Sequence, residues 1–347
     1  MKIKTVAYKG SKRKLLKNIE HFAKESKAKT VFDGFSGTGI VGAYLRSEGY
    51  RVFANDLNAS SYLYGRVFLE GYNESIVKGA VEHLNNIKPH EGWLTENYSG
   101  EKERLVRGTD GKKEKRPLGF IKENAMMIDA AREWIKNNPL ADDRDTNAVV
   151  FSIILAADKV FNNSNDQKSS FKKWTNNARK QIKYELPTLI NGPVGTQKRG
   201  NILETSIKAD LVYFDPPYTH GVLYPACYHL NDSLALWDKP ELDHTYAIPR
   251  PKRVCFRKNG QIAGEFYGKG SAEQSFKKLL LNCDTKNIVL SYSNAPRNVL
   301  SFEQLMDLCS DVGEVKLTTV DHKICTQFTS MKKISNSLKE YFIKIQI

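Results

Sequence analysis

The feature that most restricts the fold is a short apolar run that ends in an acid and enters a glycine-rich turn. Residues 29–33 (Lys-Thr-Val-Phe-Asp) predict a buried strand, Gly34-Phe-Ser-Gly-Thr-Gly39 predicts a turn, and Ile40 to Glu48 predict a helix. A second strand over Arg51 to Asn55 and a helix over about 58–69 repeat this order. Two consecutive strand–helix units favour a parallel sheet.

A second group of apolar runs lies later in the chain. Asp210-Leu-Val-Tyr-Phe-Asp215 and Asn287-Ile-Val-Leu-Ser-Tyr292 predict buried strands, and residues 314–321 and 341–347 predict two more. Helical spacing of apolar residues predicts helices at 12–26, 120–137, 146–161 and 301–309. We expect these later strands to extend the sheet that the first two strands begin.

The sheet pattern is interrupted between these groups. Residues 91–118 are polar and dense in both charge signs, which predicts an irregular insert outside the core. We therefore expect one α/β domain whose sequence is split. Residues 1–69 form its first part, 70–195 an inserted helical and irregular region suited to substrate recognition, and 196–347 its second part, with a basic insertion near 240–270.

The composition favours a polyanionic partner. The 53 Lys and Arg residues exceed the 39 Asp and Glu residues, for a net charge of +14, and nucleic acid is the commonest polyanion to match such a charge. A merely basic cytosolic protein would show the same excess. The five cysteines are scattered without zinc-like spacing, so we expect reduced thiols and no metal site. With no apolar signal segment, a cytoplasmic location is expected.

The glycine turn has the chemistry of a site for an amino-acid-bearing nucleotide. Gly37 and Gly39 let a ligand approach the backbone, and the amides of the following helix favour a carboxylate or phosphate. Asp33 can bind an ammonium group, and Asp56 can accept hydrogen bonds from two ribose hydroxyls. Together these groups suit S-adenosylmethionine.

Two other interpretations of the same turn stay open on this segment. Gly37-Thr-Gly39-Ile-Val-Gly42 is a literal Gly-x-Gly-x-x-Gly, followed by an acid at Asp56, as in nicotinamide-dependent oxidoreductases. A plain tight strand–helix turn is the other. The placement of Asp33 at the strand end, four residues before Gly37, favours S-adenosylmethionine, because a dinucleotide loop has its glycine near that end.

Asp215-Pro216-Pro217-Tyr218 ends a predicted buried strand in an acid, two prolines and an aromatic residue. Ordinary turns rarely need two prolines directly after an acid. The exocyclic amine of adenine is a poor nucleophile because its lone pair is delocalised into the ring. The Asp215 carboxylate and the Pro216 carbonyl, held by the prolines, can accept its two hydrogens, and Tyr218 can stack on the base. A base reaches such a pocket only when it is flipped out of the helix. The alternative is a strand-terminating turn with a surface tyrosine.

With these motifs in this order, the chain resembles the alpha-type adenine-specific amino-methyltransferases of bacterial DNA modification systems. Tyr8-Lys-Gly-Ser-Lys12 is similar to the N-terminal cofactor motif of that family, and Asn201 stands where an acid often binds the cofactor's adenine. The resemblance implies a Rossmann-like methyltransferase fold, with a mostly parallel twisted sheet, an antiparallel C-terminal strand and an inserted target-recognition region. It also implies direct in-line transfer of a methyl group to adenine N6 in double-stranded DNA, without a metal.

The same resemblance assigns roles to individual residues. Catalysis is expected from Asp215, Pro216, Pro217 and Tyr218. Cofactor binding is expected from Tyr8, Gly10, Lys12, Asp33, Gly34, Phe35, Gly37, Gly39, Asn55, Asp56, Asn201 and Asp215. A cognate restriction endonuclease acting on the same DNA site is a functional partner that such systems imply, without a physical complex.

Two basic stretches are candidates for contacts with DNA phosphates, which supply affinity but carry no base information. Residues 168–199 hold eight Lys or Arg against one acid, Glu185, and a second run begins at Arg250. Solvated surface is the competing explanation for both. The predicted DNA-binding residues are Lys172, Lys173, Arg179, Lys198, Arg199, Arg250, Lys252, Arg253 and Arg257.

Three alternatives to DNA adenine methylation remain at this point. The same chemistry on RNA adenine or on cytosine N4 in DNA uses an equivalent ring amine. An NAD-dependent oxidoreductase would account for the glycine turn alone. A non-catalytic DNA-binding protein would leave the intact Asp215–Tyr218 motif unexplained.

Overall fold

The computed structural model describes residues 2–105, 111–163, 166–218, 223–255, 265–266, 268–294, 298–322 and 338–347. The strands are β1 (Thr30–Asp33), β2 (Arg51–Asp56), β3 (Glu101–Leu105), β4 (Lys113–Pro117), β5 (Thr196–Arg199), β6 (Ile207–Lys208), β7 (Leu211–Phe214), β8 (Leu242–Asp243), β9 (Arg250–Pro251), β10 (Cys283–Asp284), β11 (Asn287–Ser293), β12 (Glu314–His322) and β13 (Leu338–Gln346).

The helices are α1 (Leu16–Glu25), α2 (Ile40–Ser47), α3 (Ala59–Glu70), α4 (Glu74–Asn85), α5 (Trp93–Tyr98), α6 (Lys122–Asn137), α7 (Asp143–Val160), α8 (Tyr224–Cys227), α9 (His229–Leu236), α10 (Lys252–Cys255), α11 (Lys269–Leu281) and α12 (Phe302–Ser310), with 3₁₀ turns at Lys12–Lys14 and Ile202–Glu204. In the described part of the chain, no helix combines the length and the apolar character that a membrane crossing requires.

Contacts divide the chain into two compact units. The sheet unit comprises Lys12–Leu57, Ile190–Tyr224 and Arg257–Ile347, and the helical unit comprises Met1–Ser11, Asn58–Leu189 and Pro225–Phe256. The helical unit is thus built from three chain segments. The assignment of residues 70–195 to target recognition is a functional division and stays a prediction.

A seven-stranded sheet in the order β12-β13-β11-β7-β1-β2-β5 forms the sheet unit. The pairs β11–β7, β7–β1, β1–β2 and β2–β5 are parallel, whereas β13 runs antiparallel to both β11 and β12. This arrangement confirms the predicted α/β class, the mostly parallel sheet and the antiparallel C-terminal strand.

Burial on both faces explains why the central strands read as continuous apolar runs. All four residues of β7 are buried, as expected for a parallel strand covered on each side. On one face Phe214, Leu290 and Phe276 belong to a core cluster that also includes Leu305 of α12. On α1, Phe22 packs against Phe342 of β13 with ring centroids 5.5 Å apart.

In the helical unit, the central element is α7, which packs against α3, α4, α6 and α9. Its buried side chains occur all around the helix, from Ala148 to Val160, which is the pattern of a helix enclosed by neighbours. Asp142 caps its first turn by accepting a hydrogen bond from the Arg144 amide at 2.8 Å. The predicted helices near 120–137 and 146–161 are confirmed as α6 and α7.

The prediction that residues 91–118 form an irregular insert outside the core is wrong for the regular structure of this segment and for the burial of α5, whereas residues 101–103 and 111–115 are exposed as predicted. Leu94 and Tyr98 of α5 are fully buried, and β3 and β4 form an antiparallel hairpin. Asp129 of α6 accepts hydrogen bonds from the amides of Leu94 at 2.9 Å and Thr95 at 2.8 Å, which holds the start of the short helix. The local sequence does not predict α5, because the side chain that caps this helix, Asp129, belongs to a distant segment.

Candidate active site at the carboxyl edge of the sheet

Three predicted site carboxylates follow neighbouring parallel strands. β1 pairs with β7 so that Asp33 lies opposite Tyr213, and with β2 so that Asp33 lies opposite Ala54. Asp215 and Asp56 therefore lie beside Asp33 at one edge of the sheet. The carboxyl edge of a parallel sheet is where ligands bind in open α/β folds.

The glycine turn is fixed by hydrogen bonds to both neighbouring strands. The Gly34 amide donates to the Tyr213 carbonyl at 3.0 Å, and the Gly37 amide donates to Asp56 Oδ2 at 2.8 Å. Gly37 and Gly39 have φ angles of 51° and 73°, a left-handed conformation that favours glycine. The turn thus presents backbone at the start of α2 while Phe35 packs its ring 5.4 Å from that of Phe266.

A second constraint acts at Gly34. A Cβ atom at this position would lie 2.5 Å from the Phe214 ring. Phe214, the residue before the candidate catalytic segment 215–218, therefore packs directly on the backbone of the turn. This contact ties the position of the turn to the end of β7.

Asp33 has the most unusual environment of the three carboxylates at the carboxyl edge of the sheet. Its side chain is 1% exposed, and neither oxygen has a hydrogen-bond partner of good geometry within the described residues. Burial, with the charges of Asp215 and Asp56, raises the pKa of Asp33 to about 8, although the nearby amides of Phe35 and Gly42 act in the opposite direction. A buried carboxylate without a partner is costly, which is a reason to expect a cationic ligand.

Asn55 lies at the end of β2, and Asn201 follows the end of the neighbouring strand β5. The Asn55 side chain is buried and donates to the Gly200 carbonyl at 3.1 Å. Asn201 starts the 3₁₀ turn at Ile202, and its Oδ1 accepts from the Leu203 amide at 3.1 Å. Its Nδ2 lies 3.4 Å from Glu204 Oε1, so an acid does stand beside this asparagine.

The catalytic candidate Asp215 is held by a buried lysine. Lys12 is 6% exposed, and its Nζ lies 2.8 Å from Asp215 Oδ2 and 3.3 Å from Glu340 Oε1. Burial raises the pKa of Asp215 to about 6 against the lowering effect of Lys12, and Glu340 adds to the increase. Burial alone would lower the pKa of Lys12, but Asp215, Tyr218 and Glu340 outweigh it and raise that pKa.

Tyr218 lies close to both of these groups. Its ring centroid is 6.0 Å from Lys12 Nζ and 4.6 Å from the Tyr292 ring of β11. Its carbonyl accepts from the Val299 amide at 2.9 Å. Burial first, and then Glu340 and Asp215, raise the pKa of Tyr218. Asp215 to Tyr218 are thus anchored at both ends.

Glu340, Ser291 and Tyr292 are site residues that the motifs did not reveal. Ser291 lies on β11, two strands away from the strand that precedes the glycine turn, and Glu340 lies on β13, three strands away. No local pattern marks the glutamate.

Tyr8 and Gly10 belong to the helical unit. The Tyr8 ring stacks on Tyr228 with centroids 4.3 Å apart and an angle of 13°, and the Lys9 amide donates to the Tyr228 hydroxyl at 2.7 Å. The Ala7 amide donates to Asp158 Oδ2 at 2.7 Å. The segment that contains Tyr8 is therefore ordered by helices α7 and α9 and the residues around them.

Six of the nine predicted DNA-contact residues fall into two groups by their charge environment. Lys172, Lys173, Arg179 and Lys198 are exposed, and none of the ion pairs in the described ranges neutralises them. In contrast, Arg253 pairs with Asp238 and Lys252 with Glu241.

The remaining three predicted contacts differ again. Arg199 is exposed and donates from Nε to the Leu57 carbonyl at 3.3 Å, and Arg250 lies 4.0 Å from the Tyr246 ring centroid. Arg257 lies outside the described residues. The first stretch thus keeps more uncompensated positive charge than the second.

Comparison with known proteins gives a consistent result. Residues 8–264 match the model of the family described as D12 class N6 adenine-specific DNA methyltransferase. The type II methyltransferase M.NlaIII of Neisseria lactamica is 29% identical over 330 residues, which cover 91% of each protein. The type II methyltransferase M.CviAII of Paramecium bursaria Chlorella virus 1 is 26% identical over 99% of this chain and 98% of its own length. The type II methyltransferase M.FokI of Planomicrobium okeanokoites is 27% identical over 97% of this chain, which spans 52% of that protein.

Proposed function

Because the chain belongs to the D12 class N6 adenine-specific DNA methyltransferase family, we propose that it methylates a flipped-out adenine at a short site in double-stranded DNA. The observation that carries this proposal is the position of Asp215 beside the glycine turn and Asp33 on adjoining strands. Membership of this family decides against the nicotinamide-dependent oxidoreductase, and against RNA adenine and cytosine N4 as the acceptor.

The residues of the turn fit S-adenosylmethionine. The buried carboxylate of Asp33, which has no hydrogen-bond partner of good geometry among the described residues, suits the ammonium of its methionine part. The amides at the start of α2 suit its carboxylate. Asp56 ends β2, where an acid binds ribose hydroxyls, and one of its oxygens already holds the Gly37 amide. When bound, S-adenosylmethionine supplies an activated methyl group. Tyr8, Gly10 and Asn201 stay proposed cofactor contacts.

The catalytic tetrapeptide orients the amine that receives the methyl group. Lys12 occupies Oδ2 of Asp215, which leaves Oδ1 for one N6 hydrogen, while the Pro216 carbonyl accepts the other. Prolines at 216 and 217 restrict φ, so these acceptors need little reorganisation during the reaction. Asp215 accepts as a carboxylate, the form that its ion pair with Lys12 favours against the effect of burial on its pKa. Tyr218 is proposed to stack on the base.

The product identifies the reaction directly. The purified protein, incubated with labelled S-adenosylmethionine and unmodified double-stranded DNA, should yield labelled N6-methyladenine as the methylated nucleoside. Methylation-sensitive sequencing of DNA from cells that express the protein should show the mark in one short sequence context. Label in cytosine, transfer to RNA in preference to DNA, or no transfer would contradict the proposal.

Lys172 and Lys173 are adjacent candidates for DNA phosphate contacts, since both are exposed and neither has an ion-pair partner among the described residues. We expect Lys172→Ala with Lys173→Ala to reduce the slope of log K against log salt by about 1 to 2, because each phosphate contact releases about one counterion. Sequence preference should not change. Titration of a labelled duplex at several salt concentrations measures this slope.

The matched control for that measurement is Lys208→Ala. Lys208 is also an exposed lysine, but it pairs with Asp284 at 2.8 Å, so its loss should leave the slope unchanged. An equal slope for wild type and the double variant would show that these lysines form a solvated surface only.

Action on cellular DNA implies a cytoplasmic protein, and a restriction endonuclease of the same specificity is its proposed functional partner.

A further inference from the structure

The buried lysine of the active site is shared between two carboxylates, and the second one lies far from any catalytic motif. Glu340 of β13 is 4% exposed. Its Oε1 accepts a hydrogen bond from the Ser291 hydroxyl at 2.5 Å and lies 3.3 Å from Lys12 Nζ. Ser291, on the adjoining strand β11, is fully buried. A buried glutamate with two such partners fixes one geometry for all three side chains.

We propose that Glu340 is a positioning residue for the methyl transfer, which holds Lys12 so that this lysine engages Oδ2 of Asp215 and leaves Oδ1 free for the adenine amine. This inference rests on the proposed function. Lys12 alone, on a long side chain, could bind both oxygens of Asp215 and compete with the substrate. With Glu340 and Ser291 on its other side, the ammonium is confined between two fixed acceptors.

The charge balance of the group supports this role. One ammonium between two carboxylates leaves a net charge of about −1 beside the reacting nitrogen. That excess complements the positive charge of the methyl donor and the positive charge that develops on N6. Without Glu340, Lys12 and Asp215 would form a neutral pair, and the excess would vanish.

The pH dependence of the reaction should report on Glu340. The charged and titratable groups that face Asp215 are Lys12 from the first 3₁₀ turn, Asp33 from β1, Tyr213 from β7, Tyr218 from its own loop and Glu340 from β13. Glu340 raises the pKa of Asp215 and Lys12 lowers it. Removal of the glutamate charge should therefore lower that pKa, so that activity is lost at a lower pH as the solution is acidified.

Glu340→Gln tests the inference, with Glu340→Asp as the variant that restores the charge and Ser291→Ala as a milder change. We expect Glu340→Gln to lower kcat by about tenfold, less than the roughly 10²- to 10³-fold loss for a group that itself contacts the developing charge, because Glu340 acts through Lys12. Its affinities for S-adenosylmethionine and for duplex DNA should stay within about twofold of wild type. The acid limb of its kcat profile should move to lower pH, Glu340→Asp should return the limb toward wild type, and Ser291→Ala should lower kcat by only about two- to threefold.

The control is Glu314→Gln, which removes an exposed acid from β12 and should leave kcat and its pH profile unchanged. If the wild-type protein is active and Glu340→Gln has the same kcat and the same acid limb of the pH profile, the positioning role is overturned. The proposed function would then remain intact. A variant whose lower rate only follows a smaller folded fraction, with Ser291→Ala fully active, would also overturn it. Absence of N6-methyladenine with the wild-type protein would instead remove the proposed function.

Discussion

Asp215→Asn should lower the rate of methyl transfer by about 10³-fold, in the range seen when a preorganised group that stabilises transition-state charge is removed. Asparagine has nearly the same shape, but its amide carries no negative charge and can turn a donor toward the amine. Lys12 would keep Glu340 as a counterion, so the folded structure should persist. Single-turnover transfer from labelled S-adenosylmethionine, at saturating cofactor and DNA, measures the chemical step.

The affinity of Asp215→Asn for DNA and for the cofactor should stay within a few-fold of wild type, because the acceptor acts mainly in the transition state. Asp284→Asn is the matched control, since Asp284 is exposed and its pair with Lys208 lies on the protein surface. Turnover by Asp215→Asn at the wild-type rate would exclude this carboxylate as the acceptor. A loss of DNA binding equal to the loss of rate would assign it to binding instead.

The parts of the active site that the sequence predicted are those whose signal is local. A strand, an acid and a glycine turn are adjacent in residues 30–39, and Asp215 directly follows the apolar run of β7. Parallel pairing then requires the two motifs to meet, because adjoining strands end at the same edge. The same reasoning holds for the fold, whose central strands are apolar throughout because both faces are covered.

The parts that the sequence did not reveal depend on contacts between distant segments. Glu340 faces Lys12 only because β13 pairs antiparallel to β11 in one register, and a shift by one residue would turn its side chain to the other face. Tyr228, on which Tyr8 stacks, carries no motif of its own. Helix α5 is too short to show a helical period, and its cap comes from Asp129. Such features follow from tertiary structure and have no signature in a single segment.

Asp33→Asn should weaken the binding of S-adenosylmethionine by about 10- to 100-fold, the loss expected when a hydrogen bond to a charged group worth about 1.5–3 kcal/mol is removed. The carboxylate is buried, has no hydrogen-bond partner of good geometry in the described part of the chain, and lies at the start of the glycine turn. An amide at this position cannot compensate the charge of the ligand's ammonium. Isothermal titration calorimetry with the cofactor measures the change.

The same substitution should make the cofactor-free protein less sensitive to pH. Burial and the neighbouring carboxylates raise the pKa of Asp33 to about 8, whereas the unfolded chain has its ordinary value of about 3.9. Between these values the folded state binds a proton that the unfolded state has released. The free energy of unfolding contributed by this group is therefore fully present at low pH and is lost as pH rises toward 8. Asp33→Asn should remove this decline.

Binding of the cofactor should couple to the same proton. An ammonium beside Asp33 favours its ionised form, so wild-type protein should release protons on binding at pH 6.5 to about 7.5, and its affinity should rise with pH across that range. Calorimetry in two buffers with different ionisation enthalpies counts these protons, and urea unfolding at pH 5, 6.5 and 8 follows the stability. The exposed Asp307→Asn on α12 is the control and should match wild type in both experiments. Equal proton release by Asp33→Asn and wild type would show that Asp33 does not bind the ammonium. An equal decline of their stabilities with pH would show that the pKa of Asp33 is not raised in the folded protein.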